Sequence, residues 1–248
     1  MRPVVRLLHN VAVWITIVVS TFVFGLPAMF AALVPPRGDH FTRFARGWAR
    51  TILFVRGVRL TVRHTERLPF GQSAVIVANH ASMADVLVLF AGLPVQIRFM
   101  AKRSVFRVPF LGWGMAAAGF IPVDRGDARR AQEAVEVALK RLRGGRFVVV
   151  FPEETRSRDG ELLPFKKGAA LLAIRAGLPM VPVGIVGTFH VLPRGTLRTL
   201  PGRVVLSVGE PISTAGRTPA DREELTQAAR EAIVRLREQA KAEMTEST

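Results

Sequence analysis

The chain has 248 residues, 49% of them hydrophobic and 22% charged, enough for one globular domain plus an appendage and too few for two ordinary domains. That balance excludes a disordered chain, and the absence of cysteine excludes a disulfide framework, Cys-ligated zinc, iron–sulfur chemistry and a cysteine nucleophile. Thirty-five Lys and Arg against nineteen Asp and Glu give a formal charge of +16, while the mean hydropathy is +0.27, a basic yet apolar combination suited to a membrane surface.

The positive charge is concentrated early, with nine arginines in residues 1–65 against Asp39 alone. Residues 11–34 carry no charge and as a helix would extend about 36 Å, enough for a hydrocarbon layer of about 30 Å. Gly25 and Pro27 interrupt that helix, and arginines lie on both sides of it: Arg2 and Arg6 before, Arg37, Arg43, Arg46 and Arg50 after. A simple span would leave one cluster outside, against the positive-inside tendency, so a kinked, partly re-entrant insertion with both clusters cytoplasmic is expected. A cleaved signal peptide is the alternative, although Pro35-Pro36-Arg37 is a poor cleavage site.

From Asp39 to Val55, Phe41, Phe44, Ala45, Trp48, Ile52 and Val55 recur every three or four positions, with Arg43, Arg46 and Arg50 on another face. The pattern predicts an interfacial helix with its apolar side in the acyl boundary and its arginines among anionic headgroups. An ordinary helix packed on a domain has the same pattern. Residues 1–55 thus read as a membrane-associated segment and 56–248 as an α/β domain.

Beyond residue 56, short apolar, β-branched runs alternate with helical periodicity. Strands are predicted at 58–63, 74–78, 97–100, 119–123, 146–151, 180–186 and 203–208, and helices at 82–91, 128–143, 167–176 and 219–243, which makes the class α/β with a substantial sheet. Thr218, Pro219 and Asp221 supply a capping signal for the last helix.

Chemistry-bearing residues gather at predicted strand ends, where open α/β sheets place ligands. Asn79-His80-Ala81-Ser82-Met83-Ala84-Asp85 closes one strand and opens a helix. A carboxylate there can hold one imidazole nitrogen while the other faces a substrate hydroxyl, as a general base requires. Equally, Ser82 and Asp85 can form a capping box with His80 a mere turn residue. Phe151-Pro152-Glu153-Glu154-Thr155-Arg156-Ser157 follows another strand, and Lys166, Lys167 and Gly168 precede an apolar helix, so donors and a helix N-terminus can converge on a phosphate. Asp124 and Arg125 end a third strand, where Arg125 can fork to phosphate oxygens or simply start a turn. Val181-Pro182-Val183-Gly184 has no ionisable group and reads as core strand.

Taken together, residues 40–215 resemble the glycerophospholipid acyltransferases of the 1-acylglycerol-3-phosphate (lysophosphatidic acid) type. The Asn-His-x4-Asp motif of that family is matched at Asn79, His80 and Asp85. Its second motif is matched at Asp124 and Arg125, its Phe-Pro-Glu-Gly-Thr-Arg-Ser motif at Phe151, Pro152, Glu153, Thr155, Arg156 and Ser157, and its Val-Pro strand at Val181 and Pro182. Glu154 departs from the pattern, which has glycine; glutamate hinders positive φ and adds negative charge beside the expected phosphate site. The resemblance implies a mixed central sheet flanked by helices, glycerolphosphate-acyltransferase-like, with an N-terminal membrane-docking element.

It further implies acyl transfer from acyl-CoA or acyl-carrier protein to lysophosphatidic acid, without a cofactor or metal, at the cytoplasmic face of the cell membrane. His80 is then the base and Asp85 its orienting partner; Arg125, Glu153, Thr155, Arg156, Lys166 and Lys167 bind or position the acceptor. Absence of cysteine and of a Gly-x-Ser-x-Gly elbow agrees with direct attack of the hydroxyl. Val105–Pro122, with Phe106, Phe110, Trp113 and Phe120, is a candidate wall for the acyl chain or ordinary packing. The alternatives are the same chemistry on another lysolipid or aminolipid, a membrane-bound hydrolase using His80 and Asp85 on water, and a nonspecific nucleic-acid binder. The last lacks arginine-interleaved aromatics or a recognised module, so no specific nucleic acid is expected.

Overall fold

The computed structural model describes residues 3–31, 34, 39–124, 128–142, 144–193, 195–196 and 199–246. Its centre is a seven-stranded sheet built from β1 (Val58–Arg63), β2 (Ala74–Ala78), β3 (Gln96–Lys102), β4 (Ile121–Val123), β5 (Arg146–Val150), β6 (Met180–Val186) and β7 (Gly202–Val208). The spatial order is β1-β7-β6-β2-β5-β3-β4, and every pairing is parallel except β6 with β7. All seven predicted strands are present, within two residues of their expected ends.

Side chains of β2 alternate between two cores: Ala74, Ile76 and Ala78 enter one and Val75 and Val77 the other. Helices α2 (Asp39–Val55), α3 (Ala84–Gly92) and α4 (Leu111–Ala117) cover the first face, together with the short α7 (Thr188–Val191). Helices α5 (Ala128–Arg141), α6 (Gly168–Ala176) and α8 (Arg222–Glu246) cover the second. The predicted capping box is formed: Asp221 Oδ2 accepts from the Thr218 N–H at 2.6 Å, and a 3-10 turn, Pro219–Asp221, leads into α8.

Helix α1 (Pro3–Ala31) runs unbroken through Gly25 and Pro27, in place of the interruption expected there. Proline removes one main-chain bond, a loss an apolar helix tolerates when neighbours support it, and Ala28 is buried one residue on. Residues Asn10–Ala31 are long and apolar enough to cross a membrane. The helix nevertheless keeps to the protein body. Asn10 Oδ1 accepts from the Thr199 N–H at 3.0 Å, Trp48 Nε1 donates to Thr21 Oγ1 at 3.2 Å, and Phe22 meets Phe110 edge-on at 6.0 Å.

Helix α2 does not offer its apolar side to lipid as the interfacial reading expects. Ala45, Ala49, Ile52 and Leu53 are buried in the first core, and Arg46 donates to the Leu93 carbonyl at 2.7 Å, satisfying a terminal carbonyl beside α3. A charged clasp fixes its N-terminus. Asp39 accepts from Arg98 Nη2 at 2.8 Å and from Arg146 Nε and Nη2 at 2.7 and 3.0 Å, while Arg98 Nη1 also reaches Thr42 Oγ1 at 3.1 Å. Burial lowers the Arg98 guanidinium to about 10, against the upward pull of Asp39.

Removing Asp39 strands a buried guanidinium, a loss of about 3 kcal/mol for a broken buried pair. Asp39→Ala is therefore expected to lower the denaturation midpoint strongly. A change within about 0.5 kcal/mol, as at ordinary surface sites, would show that the clasp does not hold α2.

Candidate active site

Because β2 and β5 are adjacent and parallel, with Val77 opposite Val150, the segments that follow them emerge side by side. Asn79 completes the last rung of β2 with its side chain. Its Nδ2 donates to the Ile185 carbonyl at 2.9 Å and its Oδ1 accepts from the Ile185 N–H at 2.7 Å, an amide imitation of a ladder pair with β6.

His80 follows at once. Its Nδ1 lies 2.8 Å from Asp85 Oδ2, and an ionised carboxylate only accepts, so Nδ1 carries the proton and Nε2 is left as the basic nitrogen. The same carboxylate oxygen accepts the N–H groups of Ala81 and Ser82 at 2.8 and 2.9 Å, and Asp85 is fully buried. Ser82 Oγ accepts from the Ala84 N–H at 3.1 Å and donates to the Leu192 carbonyl at 2.7 Å. The predicted capping box is half formed, since Asp85 accepts from the Ser82 N–H while the Asp85 N–H bonds the Ser82 main-chain carbonyl; Asp85 holds the turn and the imidazole together. Phe151 stacks on the ring at 4.0 Å between centroids with planes 15° apart, which fixes the remaining rotation.

Glu153 joins the two segments. Its Oε1 accepts the main-chain N–H of His80 at 2.7 Å and its Oε2 that of Leu163 at 2.9 Å, while the His80 carbonyl accepts from the Ser157 N–H at 3.0 Å. Burial pushes the Glu153 carboxyl above the ordinary carboxylate range, and the two main-chain bonds pull it part of the way back. Both oxygens are therefore spent on holding His80 and Leu163. A tight turn, Glu154 N–H to the Phe151 carbonyl at 3.0 Å, places Glu154 at φ 56°, the left-handed region in which a residue with a Cβ is strained by roughly 1–2 kcal/mol.

A largely apolar cavity of about 730 Å³ opens beside these residues, within the size range of small-molecule sites. Helices α1 and α2 give one wall through residues such as Met29, Phe44 and Trp48; α3 and α4 give another through Phe90, Leu111 and Met115; His80, Thr155, Arg156 and Lys102 stand at its polar part. Of the stretch proposed as an acyl wall, Val105, Phe110 and Phe120 do border the space, whereas Phe106 packs against the core and Trp113 is exposed.

Three of the anticipated site residues, His80, Thr155 and Arg156, border this cavity, and Asp85 and Glu153 support it from behind. Lys166 and Lys167 do not border it. Both are exposed, and Lys167 Nζ is 2.8 Å from Glu223 Oε2 on α8, so its charge is drawn to the helix packed beside α6. Arg125 lies outside the described residues; its neighbour Asp124 is paired with Arg103. Val181 and Val183 are buried in the sheet core, as expected. Among the described residues, Lys102 is the addition. It ends β3, next to β5 in the sheet, and only the rule that ligands gather at carboxyl ends of strands points to it, since it belongs to no motif.

Comparison with known proteins gives the same picture. The 1-acyl-sn-glycerol-3-phosphate acyltransferase of Pseudomonas aeruginosa is 28% identical over 231 residues, 91% of this chain and 88% of that one. The chloroplastic enzyme of that name from Arabidopsis thaliana is 33% identical over 200 residues, 79% of this chain. The chain spans about half the length of the plant and algal relatives it matches, 55% of the Arabidopsis protein and 51% of a Chlamydomonas reinhardtii one. The crystal structure of the 1-acyl-sn-glycerophosphate acyltransferase of Thermotoga maritima superimposes with a TM-score of 0.81 at 26% identity, covering 98% of both chains. The family model described as Acyltransferase matches residues 59–186, a span that takes in His80, Asp85, Glu153 and Arg156, and the chain belongs to that family.

Proposed function

We propose that the protein transfers a fatty acyl group from an acyl thioester to the free hydroxyl of lysophosphatidic acid, giving phosphatidic acid. The observation that carries this reading is the His80–Asp85 pair at 2.8 Å on the polar margin of an apolar cavity that also holds Arg156 and Lys102. His80 Nε2 takes the hydroxyl proton as the oxygen attacks the thioester carbonyl, and Asp85 stabilises the imidazolium that forms. The carbon–sulfur bond breaks, and the thiolate leaves and takes up the proton. The thioester, from acyl-CoA or acyl-carrier protein, supplies the leaving group, so the step calls for no cofactor. Arg156 and Lys102, with Arg125, hold the acceptor phosphate, and the apolar cavity takes the acyl chain.

Membrane docking through α1 is part of the same reading. Its apolar length suits lipid, its contacts with Thr199, Trp48 and Phe110 along the body favour insertion alongside the domain over a crossing, and the arginines on both sides of the apolar run support the cytoplasmic face. Membrane phospholipids are then its surroundings as well as its products. Glu154 favours a second reading, the same transfer to a different lysolipid or aminolipid, because its negative charge stands two residues from Arg156 at a strained position.

Detergent-purified protein given a panel of lyso-acceptors with acyl-CoA or acyl-carrier-protein donors, with products read by mass, tests both. Phosphatidic acid from lysophosphatidic acid is the expected product; release of free fatty acid alone would make the protein a hydrolase. In the same assay His80→Ala is expected to lose about 10²–10⁴ in kcat with an unchanged melting midpoint, and wild-type turnover would end the assignment. Lys102→Ala and Arg156→Ala should each raise KM for lysophosphatidic acid by about tenfold or more, the worth of a charge-assisted bond. An equal effect on an unphosphorylated acceptor would remove the phosphate role. Glu154→Gly should lower KM for lysophosphatidic acid and raise the melting midpoint slightly, relief of the left-handed strain being partly offset by glycine's chain entropy. If the variant instead loses its preferred acceptor, Glu154 selects a different headgroup.

A further inference from the structure

The 3-10 turn Arg103–Arg107 and α4 form an apolar projection that the cavity explains only in part, since Val108 and Trp113 do not border that space. Residues 107–111 are all exposed, and Val108, Phe110, Leu111 and Trp113 each leave about half of their surface uncovered. Such a cluster on a single loop exceeds the scattered exposed apolar residues of ordinary surfaces.

The projection is also rigid. Gly112 N–H donates to the Val108 carbonyl at 2.8 Å and Gly114 N–H to the Phe110 carbonyl at 2.9 Å. A Cβ on Gly112 would lie 2.0 Å from the Phe106 carbonyl oxygen, so only glycine allows the two backbone segments to touch. Phe110 is held at φ 61° and ψ −54°, outside the regions open to a bulky residue. Strain of this kind persists where the surroundings enforce it and function uses it; here it turns a phenyl ring outward.

Two features identify the partner. The projection continues the outer face of α1, since Phe110 meets Phe22 at 6.0 Å and Trp113 at 5.2 Å, and Phe22 and Leu26 of α1 are themselves exposed. Exposed Lys102 and Arg107 stand at its base, the arrangement of an interfacial element with apolar residues at acyl depth and cations at the headgroups.

We propose that residues 103–113 are a second membrane wedge, entering the same lipid leaflet as α1 and carrying Phe110 and Leu111, which border the cavity, to acyl-chain depth. The inference rests on the membrane docking proposed for α1 and adds a separate contact. Lipid acyl chains then meet the cavity wall directly.

Because the chain has no cysteine, Val108→Cys provides a single attachment point for an environment-sensitive nitrobenzoxadiazole label. Val108 does not border the cavity, so activity in detergent serves as the folding control. Ser213→Cys, exposed after β7, serves as the reference. Phosphatidylcholine–phosphatidylglycerol vesicles, with and without doxyl groups on the acyl chains, are added while flotation reports binding. The expected result is a several-fold rise and blue shift of the Val108→Cys label, quenched by acyl-chain doxyl, with no change at Ser213→Cys. A label that stays in water while the protein floats overturns the wedge and leaves α1 docking intact. Protein that does not float overturns both. A label that responds only to acyl-carrier protein, or only to raised protein concentration, replaces the lipid partner with a protein one.

Discussion

One carboxylate decides whether this site exists. Glu153 lies on the segment after β5 yet bonds the main chain of His80, on the segment after β2, and of Leu163, further along its own loop. Adjacent parallel strands bring two loops into proximity but do not by themselves fix how the loops stand to each other. A buried side chain with two acceptor oxygens, each facing one N–H, removes that freedom. The reciprocal bond from Ser157 to the His80 carbonyl closes the frame. For the base proposed at His80, preorganisation of this kind spares the reaction the cost of orientation. Family resemblance assigns Glu153 to the acceptor; its two bonds are to the main chain of His80 and of Leu163, so in this structure it braces the segment that carries the imidazole.

Much of the fold was legible because the sheet is covered on both faces. A strand buried on both sides needs an unbroken apolar run, so Ala74–Ala78 and Arg146–Val150 stand out from their surroundings even though the alternation between the two cores cannot be seen in them. The pairing order was not legible, because apolar runs carry no label for their neighbours. Helix α2 shows the complementary limit. Periodicity reveals that Phe41, Ala45, Trp48 and Ile52 share an apolar side, but a sheet and a bilayer demand the same pattern. What decided between them was Asp39, whose two arginine partners lie 59 and 107 residues away, beyond the reach of local reading.

The site divides along the same line. His80 and Asp85 were legible because their partnership spans five residues, within one turn. The ion pair of Lys167 was not legible because its partner, Glu223, lies on a distant helix. Lys102 was missed because its place on the same cavity as Arg156 depends on β3 lying next to β5, a fact of topology. Glu154 is the reverse case. The sequence marked it as out of pattern, and the backbone shows why the pattern exists: the turn after Pro152 requires positive φ, which glycine adopts without strain and glutamate does not.

The sheet order carries a consequence for synthesis. Among the described strands β1 pairs with β7 alone, Val58 beside Gly202, so a ribosome must deliver everything from β1 through β7 before β1 can find its place, a delay on the order of ten seconds at usual elongation rates. Helix α1, by contrast, precedes every described strand in the chain and is apolar over most of its length. Under the docking proposed for it, α1 becomes available to lipid while the strands that carry the site are still being translated, before the last edge of the sheet closes.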